Sequence, residues 1–514
     1  MKVNLSAASN SRHFKMPPFP RVNWGGLVWF VVVVFTSVVS GALTALVGAK
    51  AVGIILGAMF GGLAFLFLSL DSIFICQAVL IYLVVGQLQY FAHVQKAFWI
   101  PYLVGAFLLV TLPLTLMGRR VNASKSGFLS YEIALALFFI LLITATILNG
   151  SGLLLIMLSI KDYLFLWVFY ILITAGLVAL PTVDKFWQWL PWLVPLQLPV
   201  VIYQHFVVAP RRDSAHLKGA SWDAVVGLFG GDPEGGGASG AMAIFIEFAI
   251  VLVVSHWRSG IVSTRRMIFI ATTGLACVAL AEVKFAILMI PVGIALLYRG
   301  DLLRRPVQTL SMLMIATASA FSILVAYQVQ FAYSHSEESK SIQAYVDSMV
   351  GRQTDVKQIG LTGEMGRGTA LRLWWFKHGA TEPVHFFLGH GVGATFSGQT
   401  ATGDIARKYP FNLRRSSLTC LLWESGLLGT AALALALLLG SEKARRTAAQ
   451  VERASLWRAS ILRASSVGLL LLLFELPYNT DFLDVPSIQF LAIVMLAYVA
   501  VMSRAQATLQ QRTG

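Results

Sequence analysis

Runs of about 20 apolar residues recur from residue 25 to residue 503, and no other feature of the chain narrows its fold as far. At 1.5 Å of rise per residue, such a run crosses the hydrocarbon core of a bilayer as a helix. Inside lipid the backbone has no water to bond, so each spanning segment must satisfy its own N–H and C=O groups. The charged fraction agrees: 12% of the 514 residues are Asp, Glu, Lys or Arg, against 57% hydrophobic. A water-soluble body carries about twice that charge. The chain reads as an all-α polytopic membrane protein with about 12–14 transmembrane helices and a helical cap between late spans.

The runs place spans at 25–47, 51–70, 73–91, 98–117, 131–149, 162–180, 188–208, 239–257, 266–281, 283–299, 309–329, 417–440, 461–476 and 488–503. The stretch at 188–208 contains three prolines, which suits a broken or partly interfacial helix. Read as one bent helix, the short pair at 266–299 lowers the count. Residues 1–24 form a polar, basic leader that reads as a cytoplasmic tail, not a cleaved signal. The transmembrane region then runs 25–329 with an outer loop at 209–238. A loop at 330–416, too long for a connector, reads as a periplasmic cap. Spans resume over 417–503, and 504–514 is a second cytoplasmic tail.

Lys and Arg accumulate on cytoplasmic loops of membrane proteins, and this takes up most of the +15 net charge without invoking nucleic acid. Arg119-Arg120 with Lys125, Arg258 with Arg265-Arg266, Arg299 with Arg304-Arg305, and Lys443 with Arg445-Arg446 all fall on one side of this map. That side is expected to be the cytoplasm, and both termini share it. Cys76, Cys277 and Cys420 lie in or beside apolar runs, with neither metal spacing nor a disulfide framework.

The opposite side breaks the positive-inside pattern. Arg211, Arg212, Lys218, Lys284, Arg367, Arg372, Lys377, Arg407, Lys408, Arg414 and Arg415 gather there. Cations bordering apolar spans call for an anionic partner, and planar guanidinium groups bind phosphate oxygens in pairs. The densest polar stretch is 367–429, where Arg372 stands one turn before Trp375, Gly389-His390-Gly391-Val392-Gly393 makes a tight turn, and Arg415-Ser416 precedes Trp423-Glu424-Ser425-Gly426-Leu427-Leu428-Gly429. The glycine turn either presents backbone N–H groups to a phosphate or simply reverses the chain. Among proton acceptors, Glu364, His378, His385, His390, Asp404 and Glu424 are all eligible. No D-x-D or paired carboxylate of the metal-dependent kind stands out on this face, so no metal and no cofactor is expected.

These motifs resemble the O-antigen ligase and O-antigen polymerase family, chiefly over 205–300 and 365–430. The resemblance implies an inner-membrane glycosyltransferase of the bacterial envelope, acting on an undecaprenyl-pyrophosphate-linked glycan at the periplasmic face with inversion. On this reading Arg372, with Arg367 competing, clamps the pyrophosphate, helped by Lys284, Arg211, Arg212 and the turn Gly389, Gly391, Gly393. His390, Arg415 and Glu424 are the catalytic candidates. Many members carry His-Asn where this chain has Arg415-Ser416, which favours polymerase over ligase. The implied partners are the lipid-linked glycan, membrane lipids and other polysaccharide assembly proteins such as a chain-length regulator and a flippase, with no nucleic acid. A lipid-linked oligosaccharide flippase is the alternative of another class, and a non-catalytic scaffold of an export complex is a third.

Overall fold

The structure, a computed structural model, describes residues 67–117, 127–214, 224–232, 236–300, 306–334, 365–379, 381–398 and 400–513. The expected spans 25–47 and nearly all of 51–70, the leader 1–24, Lys218 and loop residues 335–364 lie outside them. The chain divides into two units, Met1–Ile73 and Phe74–Gly514, and apart from Leu70–Ile73 the second carries every element described below.

Among the described residues, eight helices are long and apolar enough to cross a membrane, or nine if a bent pair counts as one span. In chain order the helices are α1 (Leu70–Tyr90), α2 (Gln95–Met117), α3 (Ser130–Leu148), the bent pair α4 (Leu153–Asp162) and α5 (Phe165–Thr174), and α6 (Leu180–Arg211), with α7 (Ser239–Arg258) following. Then come α8 (Thr264–Leu280), α9 (Lys284–Tyr298) and α10 (Pro306–Ser334). The cap contributes α11 (Arg367–His378), α12 (Pro383–Leu388) and α13 (Asp404–Lys408). The chain ends with α14 (Ser417–Val451), α15 (Leu456–Glu475), the short α16 (Asp481–Asp484) and α17 (Pro486–Thr513). The eight are α1–α3, α6, α7, α14, α15 and α17.

The structure departs from the expected elements in four places. The span expected at 162–180 is two half-helices meeting at 51°, beginning instead at Leu153. The proline-rich stretch at 188–208 is not broken: α6 passes through it, loosened into a π turn at Gln204–Val208. Over its described residues from 365 on, the cap is short helices joined by irregular chain, with one bridge among them, between Ser397 and Thr402. The outer loop 209–238 holds a two-residue ladder, β1 (Gly231–Asp232) and β2 (Gly236–Gly237), a small exception to an all-α fold.

Burial sorts the helices into layers. The apolar windows of α7 and α17 are 89% and 94% buried, those of α2 and α3 only 28% and 33%. A helix apolar on every side belongs at the centre of a bundle, and one whose outer face is Leu103, Val110, Leu114 or Ile140, Ile143, Ile147 belongs against lipid. Tyrosines tie the layers by donating to backbone carbonyls across them: Tyr82 to Ser487 and Tyr131 to Leu496, each at 2.9 Å.

Charge segregates to the two ends. At one end Arg504 pairs with Glu132 at 2.7 Å, Arg458 with Asp184 at 2.8 Å, and Arg258 donates to the Leu297 carbonyl at 3.0 Å. The described basic clusters meet at this end because the helices alternate in direction. The other end gathers the 224–232 loop, the cap and the 476–484 turn. Two cysteines introduced singly into a cysteine-free background test this separation: Ala454→Cys at the basic end and Asp404→Cys at the other. In sealed vesicles of uniform orientation, one should react with an impermeant maleimide from outside and the other only after detergent. Reaction of both from the same side would contradict the arrangement.

Candidate functional site

The site is built on a break in α14. Ser416 caps its start, with Oγ accepting from Thr419 N at 3.2 Å, and the helix runs regularly until Gly426, whose φ of 66° and ψ of −173° interrupt the ladder. Carbonyls in the turn before such a break need other donors. Trp374 Nε1 donates to the Leu422 carbonyl at 3.1 Å, His390 N to Trp423 at 2.8 Å, and Gly391 N to Glu424 at 2.9 Å. The glycine turn thus docks onto the broken helix. A Cβ on Gly426 would stand 2.4 Å from the Phe387 carbonyl and one on Gly389 2.5 Å from Gly426 N, so both positions require glycine.

Glu424 seals the contact from the side-chain direction. Its carboxylate, fully buried, accepts from Tyr163 OH at 2.8 Å, Gly393 N at 3.1 Å, Thr395 N at 3.2 Å and, closer still, Thr395 Oγ1. The turn's own donors are all used internally: Gly389 N to His385, His390 N to Trp423, Gly391 N to Glu424, Val392 N to Thr146 Oγ1 and Gly393 N to the Glu424 carboxylate. Of the two sequence readings, the chain reversal is therefore the one realised. Gly389, Gly391 and Gly393 do not offer N–H groups to a phosphate here.

Two cavities flank the turn. One, of about 520 Å³, is lined by Lys161, Asp162, Arg414 and Asp484 together with the rings of Phe98, Phe396, Tyr409 and Phe411. Arg414 is its hub, only 11% exposed, bonded to Asp162 at 3.3 Å, 3.6 Å from Glu424 and in closest contact with Asp484. Lys161 pairs with Asp162 and lies over the rings of Phe98, Trp99 and Tyr102 at 5.1–5.4 Å. The other cavity, about 480 Å³, includes Glu382, His385, His390, Asp404 and Lys408. Burial first, then the His385 and His378 rings, push His390 down to about 3, leaving a neutral and weakly basic imidazole.

The expected phosphate contacts part company. Arg372 is exposed on α11 beside exposed Trp375 and Phe376. Arg367, five residues earlier, lies over the Tyr478 ring at 4.4 Å. Phe285, next to Lys284, stacks on the same ring at 4.3 Å. Ser417, two residues after Arg415, donates through N and Oγ to the Asn479 carbonyl at 2.6 and 2.9 Å. The 476–484 turn thus packs against Arg367 and Phe285 through Tyr478, and against Ser417 through Asn479, with Lys284 and Arg415 one and two residues from those contacts. Arg211 is exposed at the end of α6, and Arg212 continues that helix. The segment after them is not a loose loop: Ala224 to Gly230 are buried, with Gln204 Oε1 accepting from Val226 and Gly227 N, and Gln197 Oε1 from Leu228 N.

Sequence reasoning passed over Asp162, Asp481 and Asp484 and did not separate Arg414 from Arg415. The cue was weak, because these carboxylates are far apart in sequence and two sit in a nine-residue turn between spans. Burial, and next the Asp484 charge, push the Asp481 carboxyl up to about 7, against the pull of the Arg367 guanidinium.

Replacing Glu424 by Gln should lower stability by about 3–5 kcal/mol, since four donors and Arg414 lose a buried charge. Thermal unfolding in detergent reads this, and an unchanged midpoint would remove Glu424 from its locking role. Asp481 gives a pH-dependent counterpart. A folded pKa raised from 3.8 to about 7 means the folded state holds the extra proton, so stability falls as pH rises from about 4 to 7. Asp481→Asn should therefore raise the unfolding midpoint above pH 7 and leave it unchanged near pH 4; a gain equal at both would contradict the burial argument.

In comparisons with known proteins, no protein-family model and no curated protein matches this chain.

Proposed function

We propose that the chain is a membrane glycosyltransferase that extends a glycan carried on a polyprenyl pyrophosphate, working at the end of the bundle opposite its basic clusters. That end would face the periplasm of a bacterial inner membrane, with both termini cytoplasmic, as the loop charges favour. The observation that carries the reading is the 476–484 turn, which serves two neighbouring environments. On one side Tyr478 lies against Arg367 and against Phe285, the neighbour of Lys284, while Asn479 holds Ser417, two residues past Arg415. At its end Asp484 enters the wall of the 520 Å³ cavity.

The division of labour follows from the chemistry. A departing pyrophosphate is stabilised by cations, and guanidinium groups do this with paired hydrogen bonds. Arg367, Lys284 and Arg415 take that part, at the level where lipid headgroups lie. The aromatic walls of the cavity suit the apolar faces of sugar rings, and its carboxylates suit hydroxyl groups. Asp484, a third exposed, is placed to take the acceptor hydroxyl's proton as the anomeric carbon passes to that oxygen and its bond to the pyrophosphate breaks. His390 and Glu424 suit this role less, one for its depressed basicity and the other because four donors already hold it. Arg415-Ser416 stands where the resembled ligases carry His-Asn, which supports polymerase over ligase among the two reactions the motifs suggest. Gathering of the charged groups toward the two ends of the bundle, with Glu247 buried mid-span in α7, favours an enzyme over a flippase.

Two measurements test this. In a deletion strain, lipid-linked glycans should accumulate as single repeats in the outer leaflet. Long chains on the carrier would mean ligase, and repeats held in the inner leaflet would mean flippase. With purified protein, Arg367→Ala and Arg415→Ala should each lose about 10- to 150-fold in transfer rate, the worth of one charge-assisted contact. Arg372→Ala should lose far less. The reverse order would return the clamp to Arg372 and refute the place given to the 476–484 turn.

A further inference from the structure

We propose that His378, Glu382 and His390 bind a zinc-class divalent cation in the wall of the 480 Å³ cavity, with His385 orienting the carboxylate. The spacing is compact in sequence, His378-x3-Glu382-x2-His385-x4-His390, and three elements bring it together. His378 ends α11, Glu382 precedes α12, and His390 sits in the glycine turn that the break in α14 holds in place.

The geometry fits a metal better than it fits the groups alone. His378 Nε2 faces His390 Nε2 at 3.2 Å. Two nitrogens bound to one tetrahedral zinc at about 2.0–2.1 Å stand about 3.3 Å apart. One ligand atom from each of His378, Glu382 and His390 can be chosen so that all lie within 4.8 Å of one another. Glu382 is half exposed and lies 3.2 Å from both His378 Nδ1 and His385 Nδ1, so a side-chain rotation closes the set. His378 is only 2% exposed, and its Nδ1 has no aligned hydrogen bond despite that nearby carboxylate. His385 is fixed from its far side by Asn149 Oδ1 at 3.1 Å and stacks on His390 at 4.1 Å, the arrangement of an outer group that orients ligands.

The donor set names the class of ion. Two imidazoles and a carboxylate suit zinc and its first-row neighbours, whereas magnesium and calcium prefer oxygen donors. Burial lowers the proton affinity of both ring systems, so they are neutral and ready to ligate at pH 7. Lys408 opposes a cation here, and Glu382 and Asp404 of the same wall offset it. With three protein ligands, a fourth position is left toward the cavity, where Glu382 and His390 both reach its surface. Such a site is independent of the glycan reading and survives its failure.

The test uses tag-free, full-length protein in detergent, stripped with a chelator and titrated with zinc chloride in excess magnesium. Bound metal is measured by mass spectrometry after gel filtration. Wild type should bind one zinc per chain, Glu382→Gln at least about tenfold more weakly, and the His378→Gln/His390→Gln double variant none. Lys408→Ala, an exposed change that spares the fold, should bind more tightly. Cobalt should give the visible bands of a tetrahedral N,O site, quenched by zinc. Wild type that binds no zinc, zinc equal in wild type and double variant, or magnesium that displaces it would each overturn the proposal.

Discussion

The break in α14 at Gly426 is the constraint on which the polar end of this protein depends. A continuous helix would hold the carbonyls of Leu422, Trp423 and Glu424 within its own ladder. Broken there, it turns them outward, where Trp374, His390 and Gly391 supply the donors. Glu424 then reaches from the same turn to Gly393 and Thr395, so one helical segment holds the cap by backbone and side chain together. Leu422, Trp423 and Glu424 are buried, so each of these bonds is costly to lose. The segment that follows the docked turn borders both cavities, Ala394 lining one and Thr395 the other.

With that docking goes the placement of charge. Ser416 and Ser417 start α14 against Asn479, which fixes the direction of the two arginines just before them. Arg414 goes inward to Asp162, Asp484 and Glu424, while Arg415 lies two residues before Ser417, which bonds the turn that Arg367 also touches. The inward arginine is ion-paired and structural. On the proposed function, the outward group supplies the counter-charge for an anionic lipid-linked substrate.

Most of the membrane helices were legible because lipid leaves only one solution for a 20-residue apolar run, and the loop charges located the basic end. The bent pair at 153–174 was not, because Lys161 and Asp162 sit inside apolar sequence and only their pairing with each other and with Arg414 lets them stay there. The glycine turn and the Glu424 helix were recognisable as two polar segments of one face. That they bond to each other was not legible, since a spacing pattern carries no information about which donor meets which carbonyl. Arg372 drew notice by its place before Trp375, yet helix phase puts it outward and Arg367 inward. His378, His385 and His390 each stood out singly as possible bases; their convergence depends on the Gly389 reversal and could be seen only in three dimensions.

The most direct test of this account is a cryo-electron microscopy structure of the protein in a lipid nanodisc with a polyprenyl-pyrophosphate-linked glycan bound. The account places the two phosphates at the 476–484 turn, against Arg367, Lys284 and Arg415, and the sugars in the cavity bordered by Asp484, with the glycine turn still bonded to α14. Phosphates held by the backbone of Gly389 to Gly393 after that turn has left Glu424, or a substrate bound at the basic end, would contradict it.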